Sequence, residues 1–273
     1  MPKDGEGQLQ ARSSRCELSR SPASEVEQTL QTNEGQGSSC DPAESADIRL
    51  QACKAAREGN IDCLSWLIQN GCSSARLQAA CCAAAGAGQV DVLRFLAEVF
   101  KHFRGCLTQM VAAAASTGQI IVLEYVASLP NIRHGPWDSS ATSAAAKNNQ
   151  MEVMKWLRAQ DLPCMMACQT YTAAAIGGHV GMLKYIEMVE PECTRHWDHA
   201  CLMAILHGRL EALQHLIATH STSIAQLQSL EEMWIFWVQE AAKSGHAQIV
   251  DFLLAELGSI LCSEPANDSI HLR

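Results

Sequence analysis

From residue 55 to residue 253 one arrangement of apolar and polar positions recurs: two small apolar residues, two variable ones, a glycine, a polar residue, then apolar residues spaced as a buried helical stripe. The first copy reads Ala55-Ala56-Arg57-Glu58-Gly59-Asn60-Ile61-Asp62-Cys63-Leu64-Ser65-Trp66-Leu67. The others are AAGAGQVDVLRFL from Ala84, AASTGQIIVLEYV from Ala114, AAKNNQMEVMKWL from Ala145, AAIGGHVGMLKYI from Ala174, AILHGRLEALQHL from Ala204 and AAKSGHAQIVDFL from Ala241. Ile61, Leu64, Leu67 and Ile68 follow helical spacing, so the second half of each copy predicts an amphipathic helix. The paired alanines predict a first helix that approaches its neighbours closely.

Aligned on the glycine, the anchors are Gly59, Gly88, Gly118, Asn149, Gly178, Gly208 and Gly245, which stand 29, 30, 31, 29, 30 and 37 residues apart. A residue just past a helix end commonly adopts the left-handed conformation, which glycine tolerates freely and asparagine nearly so. Each anchor is therefore predicted to close the first helix of a pair. Helices of about 8 to 10 residues are marginal alone, so each pair needs its neighbours. A fixed period in this range predicts an all-α solenoid of helix-pair repeats laid side by side.

The Ala-Ala-x-x-Gly-His-x-x-Val-Leu-x-Leu-Leu core of these copies resembles the ankyrin repeat, most closely at Ala241-Ala242-Lys243-Ser244-Gly245-His246. The resemblance covers roughly residues 47–262, with a period nearer 30 than the usual 33 and without the Thr-Pro-Leu-His that opens the family's first helix. Those positions read Gln169-Thr170-Tyr171-Thr172 or His199-Ala200-Cys201-Leu202. The segments Gly71-Cys72-Ser73-Ser74, Gly135-Pro136-Trp137-Asp138 and His196-Trp197-Asp198 are accordingly expected to be short loops without strand pairing.

Residues 1–40 are rich in Ser, Glu, Gln, Gly and Arg and are expected to be a disordered tail, because they hold too little apolar surface to offset ordering entropy. Asp41-Pro42-Ala43-Glu44 is a helix start signal: a capping acid, a proline at the first helical position and a glutamate at the third. The repeat array is expected over 41–262 and a flexible tail over 263–273. The wide last spacing places an insertion at Ser221 to Glu232. The following helix, Glu231 to Ala242, puts Trp234, Trp237, Val238 and Ala241 on one buried face, with Ile235 and Phe236 directed elsewhere.

Net charge is −9 with a sequence pI near 5.5, so no global basic field attracts nucleic acid or anionic lipid. Neither nucleic acid nor membrane is an expected partner, and the chain reads as soluble and monomeric, in the cytosol or nucleus. Its 13 cysteines lack any Cys-x-x-Cys pair, and several sit in alanine-rich runs such as Ala79-Ala80-Cys81-Cys82-Ala83, which predicts reduced thiols serving as small core hydrophobes.

Candidate chemistry is thin. Gly86-Ala87-Gly88 would need a third glycine where Asp91 stands to begin a dinucleotide fingerprint, and no Gly-Lys-Ser/Thr phosphate loop occurs. Cys193, His196, His199 and Cys201 form a dense Cys/His set, but at spacings within one turn that do not match paired zinc ligands, and Cys164 and Cys168 have no second pair. With no Gly-x-Ser-x-Gly or His-Glu-x-x-His either, neither catalytic, cofactor nor metal residues are assigned.

The ankyrin resemblance implies a protein-binding scaffold, with a protein partner held on a concave face by the two residues before each anchor. Those are Arg57 and Glu58, Gly86 and Ala87, Ser116 and Thr117, Lys147 and Asn148, Ile176 and Gly177, Leu206 and His207, Lys243 and Ser244. Two alternatives stand beside it. One is a targeting subunit of an enzyme complex such as a ubiquitin ligase. The other is a thiol- or metal-dependent regulator built on Cys193, His196, His199 and Cys201.

Overall fold

The computed structural model describes residues 42–130, 137–160, 167–221 and 230–263. The expected tail at 1–40, the segment 264–273 of the expected C-terminal tail, the Gly135-Pro136 pair and positions 222–229 of the insertion lie outside the described residues. The described residues form 14 α-helices and no strand. In chain order these are α1 (Pro42–Glu58), α2 (Ile61–Gln69), α3 (Ser74–Ala87), α4 (Val90–Val99), α5 (Leu107–Thr117), α6 (Ile120–Ser128) and α7 (Ser139–Lys147). They continue as α8 (Met151–Ala159), α9 (Cys168–Gly177), α10 (Val180–Val189), α11 (Trp197–Leu206), α12 (Leu210–Thr219), α13 (Leu230–Lys243) and α14 (Ala247–Ser263). Short 3-10 helices at Phe103–Cys106 and Pro191–His196 lead into α5 and α11.

The helices come in pairs split at the anchors. All seven anchors have positive φ: Gly59 76°, Gly88 78°, Gly118 83°, Asn149 57°, Gly178 82°, Gly208 70° and Gly245 76°. Asn149 is the one non-glycine residue with positive φ among those described. The left-handed turn lets the amide after the anchor swing back and donate to the carbonyl of the first alanine of the pair, as Gln89 does to Ala84 at 3.0 Å. The same bond runs from Asn60 to Ala55, Gln119 to Ala114, Gln150 to Ala145, His179 to Ala174, Arg209 to Ala204 and His246 to Ala241, all within 2.8–3.1 Å. The second helix then starts at once. Two residues thus reverse the chain, and the closure depends on local chemistry that every copy carries.

Packing follows the pairing. Each first helix contacts the first helix of the next unit, from α1 against α3 through to α11 against α13, and each also packs on the second helix of its own unit. Alanines make the close approach feasible: Ala55, Ala56, Ala84, Ala85, Ala114, Ala115, Ala145, Ala146, Ala174 and Ala175 are all buried. The second helices contribute larger side chains such as Leu64, Leu93, Leu96, Leu123, Met154, Leu183 and Leu213, which are fully buried. Each such leucine contributes about 1.5–3 kcal/mol relative to an exposed one.

One region departs from expectation and another meets it. His196-Trp197-Asp198 is helical, joining the 3-10 turn at Pro191–His196 to α11, so the Cys193 to Cys201 stretch is not one open turn. The helix over α13 buries Trp234, Trp237 and Ala241 as expected, with Val238 half-buried, while Ile235 and Phe236 are 49% and 45% exposed. No described helix is long and apolar enough to cross a membrane.

Candidate interaction face

Counting back from each anchor, positions two, five, six, nine and ten lie on one face of the first helix, because those offsets fall on one stripe at 3.6 residues per turn. Since first helix follows first helix, these stripes adjoin to make one continuous face. Two grooves open on it. The first, about 550 Å³, lies across α1, α3 and α5 and is lined by Arg49, Arg57, Gln78, Cys82, Ala83 and Gln109. The second, about 730 Å³, lies between α9 and the start of α11 and is lined by Cys168, Thr172, Ala173, Ile176, His196 and His199.

The turn edge of this face is laced by a ladder that sequence reading overlooked. The polar side chain after an anchor reaches back to the backbone carbonyl two residues before the preceding anchor. Gln89 Nε2 donates to Arg57 O at 3.0 Å, and Gln150 Nε2 to Ser116 O at 3.5 Å. His179 Nε2 donates to Lys147 O at 3.0 Å, Arg209 Nε to Ile176 O at 3.0 Å, and His246 Nε2 to Leu206 O at 3.2 Å. A carbonyl only accepts, so both histidines carry their proton on Nε2. Asn60 has no described unit before it and instead caps its own second helix, its Oδ1 accepting from Cys63 N at 2.9 Å. The anchors give the ladder room: a Cβ on Gly118 would lie 2.6 Å from Gln150 Oε1, and one on Gly208 2.8 Å from His246 Cε1. The sequence signal was the polar residue after every anchor.

No protein-family model matches the chain, and no curated protein matches it. The role of the face therefore rests on its own geometry.

The expected partner-binding residues divide into two kinds. Ser116 Oγ and Thr117 Oγ1 donate to Ala113 O, Asn148 Nδ2 to Ala144 O, and His207 Nδ1 to Met203 O, all within 2.7–3.1 Å. These four satisfy carbonyls at the end of their own helices, so their polar groups are already engaged. Arg57 and Ile176 line the two grooves, and Lys147, Leu206 and Lys243 share their register. Lys243 Nζ is held by Glu240 at 2.6 Å, and Glu58 lies 3.9 Å from Lys54. Gly86, Ala87 and Gly177 are half-buried and Ser244 likewise.

The cysteine and histidine set is split by burial: Cys193 and Cys201 are buried, while His196 and His199 are exposed. Burial pushes the Cys193 thiol up to about 11, and it also raises that of Cys201, so both stay protonated at neutral pH. Cys72 and Cys82 are likewise pushed up to about 11 by burial. Among the described residues, no three His, Cys, Asp or Glu side chains gather as a metal site.

A second polar assembly, also unforeseen, lies under units five to seven. Tyr171, fully buried on α9, donates its hydroxyl to Glu187 Oε1 of α10 at 2.7 Å. His215 of α12 meets the same carboxylate with Nε2 at 3.0 Å and 3.1 Å. Having given its proton to Glu187, the Tyr171 oxygen accepts from His220 Nε2 at 3.3 Å. Trp197 stacks on His220 at 5.3 Å between ring centroids and meets Trp237 edge-on at 6.4 Å. Burial and the Glu187 carboxylate raise the Tyr171 phenol, while burial lowers His220 despite the opposing pull of Glu187. The groups satisfy one another, and together they join α9, α10, α11, α12 and α13.

Proposed function

We propose that the chain is a non-catalytic protein-binding scaffold, an ankyrin-like solenoid that holds a protein partner along the first-helix face. The carrying observation is the ladder. It uses the backbone carbonyl, not the side chain, of the position two before five of the anchors. The register is thereby fixed whatever side chain stands there, and this chain sets Arg57, Ser116, Lys147, Ile176 and Leu206 at the five bonded positions. Stability and recognition are separated: the backbone holds the units together, and the side chains are left to meet a partner. Repeat arrays use this kind of separation to vary a surface without disturbing the stack.

The test replaces Arg57, Lys147, Ile176 and Leu206 together with alanine. Helix content by circular dichroism should be unchanged, and a partner captured from cell extract by the parent chain should be lost. Undiminished capture by the fourfold variant would remove the face from consideration.

A further inference from the structure

The chemistry of the two grooves limits what a scaffold face of this kind can take, and the inference drawn from it rests on the proposed scaffold function. In the first groove, Arg49 and Arg57 are exposed and neither is ion-paired among the described residues. Across the groove from them Gln78 Nε2 donates to Gln109 Oε1 at 2.8 Å, which leaves the Gln109 amide hydrogens to donate outward. Among the described residues, no carboxylate lines this groove. Two guanidinium groups beside amide donors are the donor set that recognises carboxylates. In a chain of net charge −9 this is a local exception, so its partner is selected at short range.

The second groove and the helix faces beyond it are richer in apolar side chains, set beside His196 and His199 at the groove and Gln239, Glu240 and Lys243 on α13. Ile176 and Ala173 line the groove, and half-buried Leu202, Met203 and Leu206 continue the same register on α11. On α13 the positions ten and nine before Gly245 are Ile235 and Phe236, the register that Cys168 and Gln169 occupy on α9. Their exposure is thereby explained: they extend the apolar end of the face. Between the two ends stand Ala112, Ala113, Ser143 and Ala144, whose small side chains leave the path open.

We propose that this face binds a linear segment of a partner protein that carries carboxylates at one end and large apolar side chains at the other. The groove centres are about three units apart. At about 8–10 Å between packed helices that is about 30 Å, or about nine residues of extended chain and about twenty of helix. The carboxylates sit over α1 and α3, and the apolar residues over α9, α11 and α13.

The experiment selects from a displayed library of random peptides about 24 residues long, long enough for either conformation, against the full chain, and measures enriched peptides by fluorescence anisotropy. Enriched peptides should pair an Asp/Glu cluster with a Leu, Ile, Phe or Met cluster at one of the two separations. Binding should weaken at least tenfold for Arg49→Gln with Arg57→Gln, an effect that fades in high salt, and at least tenfold for Ile176→Ser with Phe236→Ser. Circular dichroism checks that both double variants stay folded. Peptides without acidic bias, or binding indifferent to the arginine substitutions, overturn the inference, as does a library that yields no binder. The scaffold reading fails separately: peptides that lose binding only on the apolar substitutions leave it standing, and the fourfold variant's retained capture ends it whatever the peptides do.

Discussion

At five places along the turn edge, from Gln89 to His246, a side chain of one unit bonds to a backbone carbonyl of the unit before it. Beneath units five to seven, from Tyr171 to His220, side chains bond to side chains. The first device accepts any donor long enough to reach, and Gln, His and Arg all serve. The second fixes the identity of each member, because Glu187 must accept from two donors and Tyr171 must both donate and accept. A bond to backbone can therefore be repeated down an array that drifts in sequence, whereas a side-chain cluster occurs once.

The sharpest way to break the turn edge is at Gly177. A Cβ there would lie 2.5 Å from the Lys147 carbonyl oxygen and 2.4 Å from His179 Cδ2. The first of these is backbone, and it is the ladder acceptor itself, so relief must move unit four away from unit five. Gly177→Ala is expected to cost about 3 kcal/mol, the upper end for overpacking a tight site. It should lower the urea midpoint well beyond any single ladder substitution. A midpoint within error of the parent would show that the units are not held at this separation.

Next in size is the cluster. Tyr171→Phe removes the hydroxyl between Glu187 and His220, leaving a half-buried carboxylate with one donor fewer and the His220 N–H without its acceptor. The expected loss is about 2 kcal/mol, in the range for hydrogen bonds to charged groups. The cluster also sets a pH dependence through His220, whose folded pKa lies below its ordinary value because burial disfavours the imidazolium. The unfolded chain then binds the proton first, so stability is full above the ordinary histidine value, about 6.5, and is lost as pH falls from there towards the folded value. His220→Gln should reduce the loss of stability on acidification, read as unfolding midpoints at about pH 7.5 and about pH 5.5 on either side of that ordinary value. An undiminished loss would place the acid sensitivity elsewhere.

These two devices were unequally legible. The anchors could be read because the left-handed turn is local chemistry: only glycine, or Asn149 in its place, suits φ near +57° to +83°. The alanine pairs and the leucine stripes could be read for the same reason. The ladder's donors were visible as the polar residue after every anchor, but its acceptors are backbone carbonyls of residues as different as Arg57 and Leu206, which carry no signature. The cluster was invisible, since Tyr171, Glu187, His215 and His220 belong to three helices and their edges and meet only through packing. Similarly, the caps at Ser116, Thr117, Asn148 and His207 share register with groove residues, and sequence could not separate a side chain folded back on its helix from one facing outward. Ladder strength itself is read by Gln89→Ala, which should cost about 1 kcal/mol as one neutral hydrogen bond to a solvent-accessible edge. A cost matching that of Tyr171→Phe would erase the distinction between the two devices.

The smallest expected effect has the opposite sign. Gly86, like Gly177, is a glycine in the last turn of a first helix, yet a Cβ on it would find only ordinary contacts, the Ala113 carbonyl oxygen at 3.8 Å and Thr117 Cγ2 at 3.9 Å. Its backbone is helical and its φ is not positive. Alanine therefore gains what glycine loses in a helix interior, about 0.5–1 kcal/mol, by narrowing the unfolded ensemble without straining the folded one. Gly86→Ala should raise the urea midpoint where Gly177→Ala lowers it. The same added methyl group stabilises or destabilises according to whether the next unit's backbone stands at 3.8 Å or the preceding unit's at 2.5 Å. If both substitutions moved the midpoint in the same direction, intrinsic helix preference and not spacing between units would govern this edge of the molecule.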